Sequence, residues 1–165
     1  MRFIESPAEL YAHAIAIERE AARHYSQLAE RMADEGRDAL AEIFDSLARA
    51  EAEHLETLLR RTEGIALPVI AEGQYHWLDA GAQESAAHEL VFRLMTPRQA
   101  LAIALHAEQR AQVFFEHVYW TSSDPALRAL AREMAAEERE HVAFVANLIE
   151  QTPEPSLSHT LIFEK

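Results

Sequence analysis

Apolar residues recur at intervals of three and four along four stretches of the chain, about residues 7–33, 37–62, 97–122 and 125–150, which is the spacing of one face of an α-helix. The stripe in the first stretch runs Tyr11, Ala14, Glu18, Ala21, Tyr25, Leu28, Met32, and in the second Leu40, Phe44, Leu47, Glu51, His54, Leu58. The third gives Leu101, Ala104, Glu108, Ala111, Phe115, Val118, and the fourth Leu127, Leu130, Met134, Glu138, His141, Val145, Leu148. Each stripe is apolar except near its middle. Start and stop signals frame the stretches. Ser6-Pro7-Ala8-Glu9 and Thr96-Pro97-Arg98-Gln99 each offer a hydroxyl cap, a proline at the first helical position and a Glu or Gln three residues after the cap. Gly36 closes the first helix, and Ser123-Asp124-Pro125 opens the fourth.

Only a few residues separate the first helix from the second and the third from the fourth, so each pair predicts an antiparallel hairpin. The stretch from Gly64 to Met95 is too long for a turn. It predicts a crossover along the bundle, with a short helix near Glu84 to Leu94 and with His76, Trp77 and His88 covering the core. The fold class is therefore all-α, a four-helix bundle over residues 1–150 with a crossover at about 64–95. The stop at Gln151-Thr152-Pro153-Glu154-Pro155 leaves a tail, 151–165, in which Ser156 to Lys165 alternates apolar and polar residues and predicts an extended, docked segment.

The hairpins read as copies of each other. An offset of about 90 residues sets Ser6 on Thr96, Pro7 on Pro97, Glu9 on Gln99, Glu18 on Glu108, Ala21 on Ala111 and Tyr25 on Phe115. A shift of about three residues at the turn then sets Glu51 on Glu138, Glu53 on Glu140 and His54 on His141. This pattern predicts an internal duplication.

Composition narrows the chemistry. The 165 residues suit one compact core, and the scarcity of Gly beside abundant Ala, Leu, Glu and Arg favours helix throughout. A formal net charge of -13 opposes nucleic acid and anionic membranes and favours cations or a basic partner. No stretch reaches the roughly 18 uninterrupted apolar residues of a spanning helix, so a soluble, cytoplasmic protein is expected. With no cysteine, thiolate zinc sites, iron–sulfur clusters and rubredoxin-type iron are excluded, and any metal must be held by oxygen and imidazole.

Glu18, Glu51, Glu108 and Glu138 all fall on core stripes, and an ionised carboxylate is seldom buried unless paired or bound to metal. Two divalent cations would balance four such charges, with His54 and His141 as neutral nitrogen ligands, so the count points to a dinuclear site. One Glu-x-x-His match would arise by chance in about one such chain. Here two matches fall at equivalent positions of the duplicated hairpins, each with a glutamate from the preceding helix. Glu20, Glu53, Glu137 and Glu140 project away from the stripes and are expected to be surface charges, and His13, His24, His106 and His117, also off the stripes, are expected at surface positions.

Glu18-x-x-Ala21-x-x-x-Tyr25, Glu51-Ala52-Glu53-His54, Glu108 and Glu138-Arg139-Glu140-His141 resemble the ferritin-like di-iron proteins, particularly rubrerythrin-type and bacterioferritin-type bundles. The resemblance covers roughly residues 7–150 and implies a ferritin-like fold. By it, Glu18 and Glu108 would be terminal ligands on separate metals, Glu51 and Glu138 would bridge, His54 and His141 would each ligate one metal, and Tyr25 would donate a hydrogen bond to a ligand. The metal implied is iron, with zinc or manganese as alternative loads. The activity implied is an oxidoreductase that oxidises Fe(II) or reduces peroxide or oxygen; without a rubredoxin domain it would need a separate electron donor. The alternatives are a non-catalytic protein that stores, delivers or senses metal, and a purely structural bundle. Rubrerythrins carry an extra glutamate where this chain has Ala111, and haem-binding ferritins a methionine where it has Ala52, which argues against haem. The tail does not read as a cage-building fifth helix, so a homodimer or small homo-oligomer is expected.

Overall fold

The computed structural model describes residues 4–70 and 96–153. Within them the chain forms α1 (Pro7–Asp34), α2 (Asp38–Arg61), α3 (Pro97–Thr121) and α4 (Pro125–Gln151). The architecture is all-α: α1 packs along α2 and α3 along α4, and the two hairpins join through their facing stripes, with α1 coming nearest to α4. The crossover helix expected near Glu84 to Leu94, the covering role of His76, Trp77 and His88, and the docked tail lie outside the described residues.

The helix ends follow from their caps. Ser6 Oγ accepts from the Glu9 amide at 3.2 Å, and the Glu9 carboxylate reaches back past the cap to the Glu5 amide at 2.9 Å. At Thr96 the box closes on itself, with Gln99 N to Thr96 Oγ1 at 3.2 Å and Thr96 N to Gln99 Oε1 at 2.8 Å. Asp124 accepts from the amides of Ala126 and Leu127. Gly36 ends α1 at φ +71°, a conformation that costs glycine little, and this brings Gly36 N to Ala33 O at 2.9 Å and Arg37 N to Met32 O at 2.8 Å. Arg98 in the first turn of α3 donates to the carbonyls of Ile149 and Thr152, so the start of α3 satisfies carbonyls at the end of α4.

The core is divided in two. Leu10, Ile17, Phe115, Leu127 and Met134 belong to one apolar cluster, and Leu28, Met32, Leu40, Phe44 and Val145 to the other. Between them, at mid-height, lie the four glutamates of the stripes. Every stripe position is buried except Tyr11, His54, His141 and Leu148, which are half-buried. One expectation needs correction: His13 is buried, 7% exposed, with its ring 5.6 Å from that of Phe114. The first half of α1 is enclosed on nearly all sides because Ala12, Ile15, Ala16 and Ile17 are apolar off the stripe as well as on it. A position opposite the stripe is therefore not a surface position there. Of the remaining outward histidines, His106 is exposed while His24 and His117 are half-buried. Glu53 and Glu140 are exposed, and Glu20 and Glu137 are half-buried.

Candidate metal centre

Each helix brings one carboxylate to the middle of the bundle, because Glu18, Glu51, Glu108 and Glu138 all sit mid-stripe with apolar turns on either side. All four are buried, between 3% and 5% exposed. His141 lies one helical turn beyond Glu138. Its Nδ1 is 3.3 Å from Glu51 Oε1, 3.4 Å from Glu108 Oε2 and 3.6 Å from Glu138 Oε2. It makes a proper hydrogen bond with none of them. Three acceptors from three helices thus surround one nitrogen without bonding to it, and the ligand atoms of Glu51, Glu108 and His141 all lie within 4.8 Å of one another. That is the geometry left when several donors are aimed at a common point rather than at each other. A carboxylate and imidazole set of this kind fits a divalent cation of the manganese-to-zinc series.

The other expected residues join less evenly. Glu18 hydrogen-bonds Glu51, while its Oε2 is buried with no partner. His54, half-buried, meets the cluster through the His141 ring, with centroids 4.6 Å apart. The Tyr25 hydroxyl donates to Glu108 Oε1, and the Tyr25 ring packs near Phe44, 6.2 Å between centroids. A cavity of about 20 Å³, room for about one water, lies between α1 and α3 beside Tyr25, Glu51, Glu108 and Glu138. Alanines at 21, 104, 107 and 111 line its walls, so the approach to the carboxylates on this side is narrow and apolar.

The electrostatics show what this arrangement costs without a cation. Burial, and then the charges of Glu138 and Glu108, push Glu18 up to about 7 from 4.5. Burial and the neighbouring carboxylates do the same to Glu138, also to about 7, and hold Glu51 well above the usual carboxylate range. Burial alone would lower His141, but contacts with Glu108 and Glu138 and the charge of Glu51 push it up to about 12. His54 is lowered by burial and by the adjacent His141. Burial and the Glu108 carboxylate raise the Tyr25 phenol, which therefore stays protonated and able to donate. Without metal, bound protons do the neutralising. The half-burial of Glu137, raised by burial and by Glu133, went unsignalled in the sequence because its stripe angle points outward.

Two comparisons place the fold. The rubrerythrin family profile matches residues 9–93. The crystal structure of an uncharacterized conserved protein from Magnetospirillum magnetotacticum MS-1 superposes with a TM-score of 0.78 at 33% identity, covering 93% of this chain and 100% of that one. No curated protein matches the chain. Among the described residues no helix is long and apolar enough to cross a membrane. With the profile spanning more than half of the sequence and two Glu-x-x-His helices facing each other across a buried carboxylate layer, the chain belongs to the rubrerythrin family.

Proposed function

We propose that the protein is a di-iron oxidoreductase whose centre is held by Glu18, Glu51, His54, Glu108, Glu138 and His141, and that it oxidises Fe(II) or reduces peroxide or oxygen with electrons from a separate donor. The observation that carries this reading is His141 Nδ1, set 3.3 to 3.6 Å from three buried carboxylates and hydrogen-bonded to none. Two irons, once bound, would supply the electrons and open coordination positions for a small oxidant. The protein's own residues do the rest. Glu51 and Glu138, facing each other from the two hairpins, hold the centre together, and Tyr25 fixes Glu108 while keeping its own proton. The apolar clusters on either side exclude water, which strengthens every charge interaction between them. The narrow, apolar-walled space between α1 and α3 favours a small oxidant such as oxygen or peroxide over a bulky organic substrate.

The test is iron content and oxidant consumption together. Wild type loaded anaerobically with Fe(II) and desalted should retain about two irons per chain and oxidise them promptly on exposure to peroxide or oxygen. The Glu51→Gln, Glu138→Gln variant, checked for native helicity, should lose both. Wild-type oxidation rates in that variant would sink the assignment. A second reading, storage or delivery of metal without turnover, draws on the tight enclosure of the carboxylates. Retention of iron with no oxidant consumed in the presence of a reductant would favour it.

A further inference from the structure

The duplication that builds the centre is broken beside its carboxylates. Tyr25 on α1 corresponds to Phe115 on α3, so only one of the two equivalent carboxylates, Glu108, receives a phenolic hydrogen bond. Glu108 Oε1 accepts from the Tyr25 hydroxyl, and its Oε2 lies 3.4 Å from His141 Nδ1 without a hydrogen bond between them. Its counterpart Glu18 leans on Glu51 and leaves Oε2 buried and unpartnered. The imidazoles differ in the same sense. His141 Nδ1 faces three carboxylates, whereas His54 meets the cluster only through a tilted contact with the His141 ring, 4.6 Å between centroids. The ligand atoms that already converge within 4.8 Å, Glu51, Glu108 and His141, belong to the shared carboxylate layer and to the second hairpin.

From this broken symmetry we infer that the two metal positions are unequal: the Glu108–His141 position is pre-formed and takes the first divalent cation, and the Glu18–His54 position closes only when a second arrives, with Tyr25 as the positioning residue that sets the difference. The inference rests on the dinuclear reading above. Its physical basis is pre-organisation. Ligands already held in place lose little freedom on binding, whereas Glu18 must leave Glu51 and His54 must turn from its tilted contact with the His141 ring before they can coordinate. The hydroxyl of Tyr25 acts through Glu108, as residues that hydrogen-bond a metal ligand commonly do, and loss of such a partner typically weakens binding by about 10- to 100-fold. The consequence is a centre with one resident cation and one exchangeable cation at sub-saturating metal.

The experiment is titration of the metal-free full chain with cobalt(II), which suits nitrogen and oxygen sites and shows in the visible spectrum. Wild type should bind in two phases. Glu18→Gln should keep the tight equivalent and lose the weaker one, and Glu108→Gln should lose the tight one. Tyr25→Phe should weaken the tight phase by about tenfold or more, and Phe115→Tyr, which offers Glu18 the missing hydroxyl, should tighten the weak phase and bring the two together. Because Tyr25→Phe and Phe115→Tyr change one oxygen each, they carry the test even if a charge-removing variant does not fold. Two equivalents of one affinity in wild type, or Glu18→Gln and Glu108→Gln lowering the same phase equally, would overturn the inequality while leaving the dinuclear centre intact. No cobalt(II) bound by wild type at all would instead remove the centre itself.

Discussion

The ends of the bundle and its waist are built on opposite principles. Toward either end, side chains such as Phe44, Met32, Leu127 and Phe115 fill the interior with shape and contribute stability by being out of water. At the waist the same four stripes present glutamates that are just as buried and that raise one another's proton affinity instead of stabilising one another. The ends are therefore what folds the chain, and the waist is what the folded ends force together. A site of this kind is costly without its ligand, which is why it is informative about function.

Truncation at one of the ends gives the largest expected effect. Phe44 is fully buried and packs near Tyr25, so Phe44→Ala should cost about 3–5 kcal/mol in chemical denaturation, through lost burial and the cavity left behind. A loss below about 1 kcal/mol would mean that the end clusters are not the source of stability.

Cation loading should come next, and it should reverse the waist's contribution. At a hundred times its dissociation constant, a divalent cation that binds only the folded chain adds about 2.7 kcal/mol. The effect depends on pH with a definite sign. Glu18 and Glu138 are pushed up to about 7 from 4.5, so the metal-free fold holds protons that the unfolded chain releases. Their contribution is present in full below about 4.5 and is lost as pH rises through about 7. His141, pushed up to about 12 from 6.5, acts in the same direction at higher pH. Metal-free thermal stability should therefore fall between about pH 5 and pH 7, while cobalt(II) affinity rises over the same interval because the ligands must shed those protons. Metal-free stability that climbs through this window, or an affinity indifferent to pH, would contradict the picture of a proton-filled waist.

What was legible in the sequence follows from the same contrast. Glu18, Glu51, Glu108 and Glu138 stood out because a charged residue interrupts an apolar stripe, and the duplication placed the four at matching heights. Gly36 and Asp124 fixed helix ends through local chemistry that needs no tertiary information. His13 was misread because the stripe rule assumes a helix with one wet side, and the first half of α1 has none. The donor role of Tyr25 came from the resemblance and named no particular ligand, since a buried phenol can pack or donate wherever an acceptor lies near. Only the approach of α3 to α1 shows that its hydroxyl meets Glu108. Likewise the unequal placement of His54 and His141 depends on ring positions that two identical Glu-x-x-His spacings cannot distinguish.

The smallest expected effect tests whether the hairpins are joined at the rim or through the interior. Arg61 on α2 donates to Glu133 on α4, a cross-hairpin ion pair whose side chains are 40% and 47% exposed. Such a pair sits in high dielectric and must immobilise two long side chains, so Arg61→Ala should cost no more than about 1 kcal/mol, with the difference shrinking as salt is added. Cobalt(II) affinity should not move, because Arg61 touches none of the six waist residues in the contacts described. A loss comparable to that of Phe44→Ala, or one insensitive to salt, would show that the bundle is clasped at its surface, and the division of labour between ends and waist would then have to admit a third, peripheral contributor.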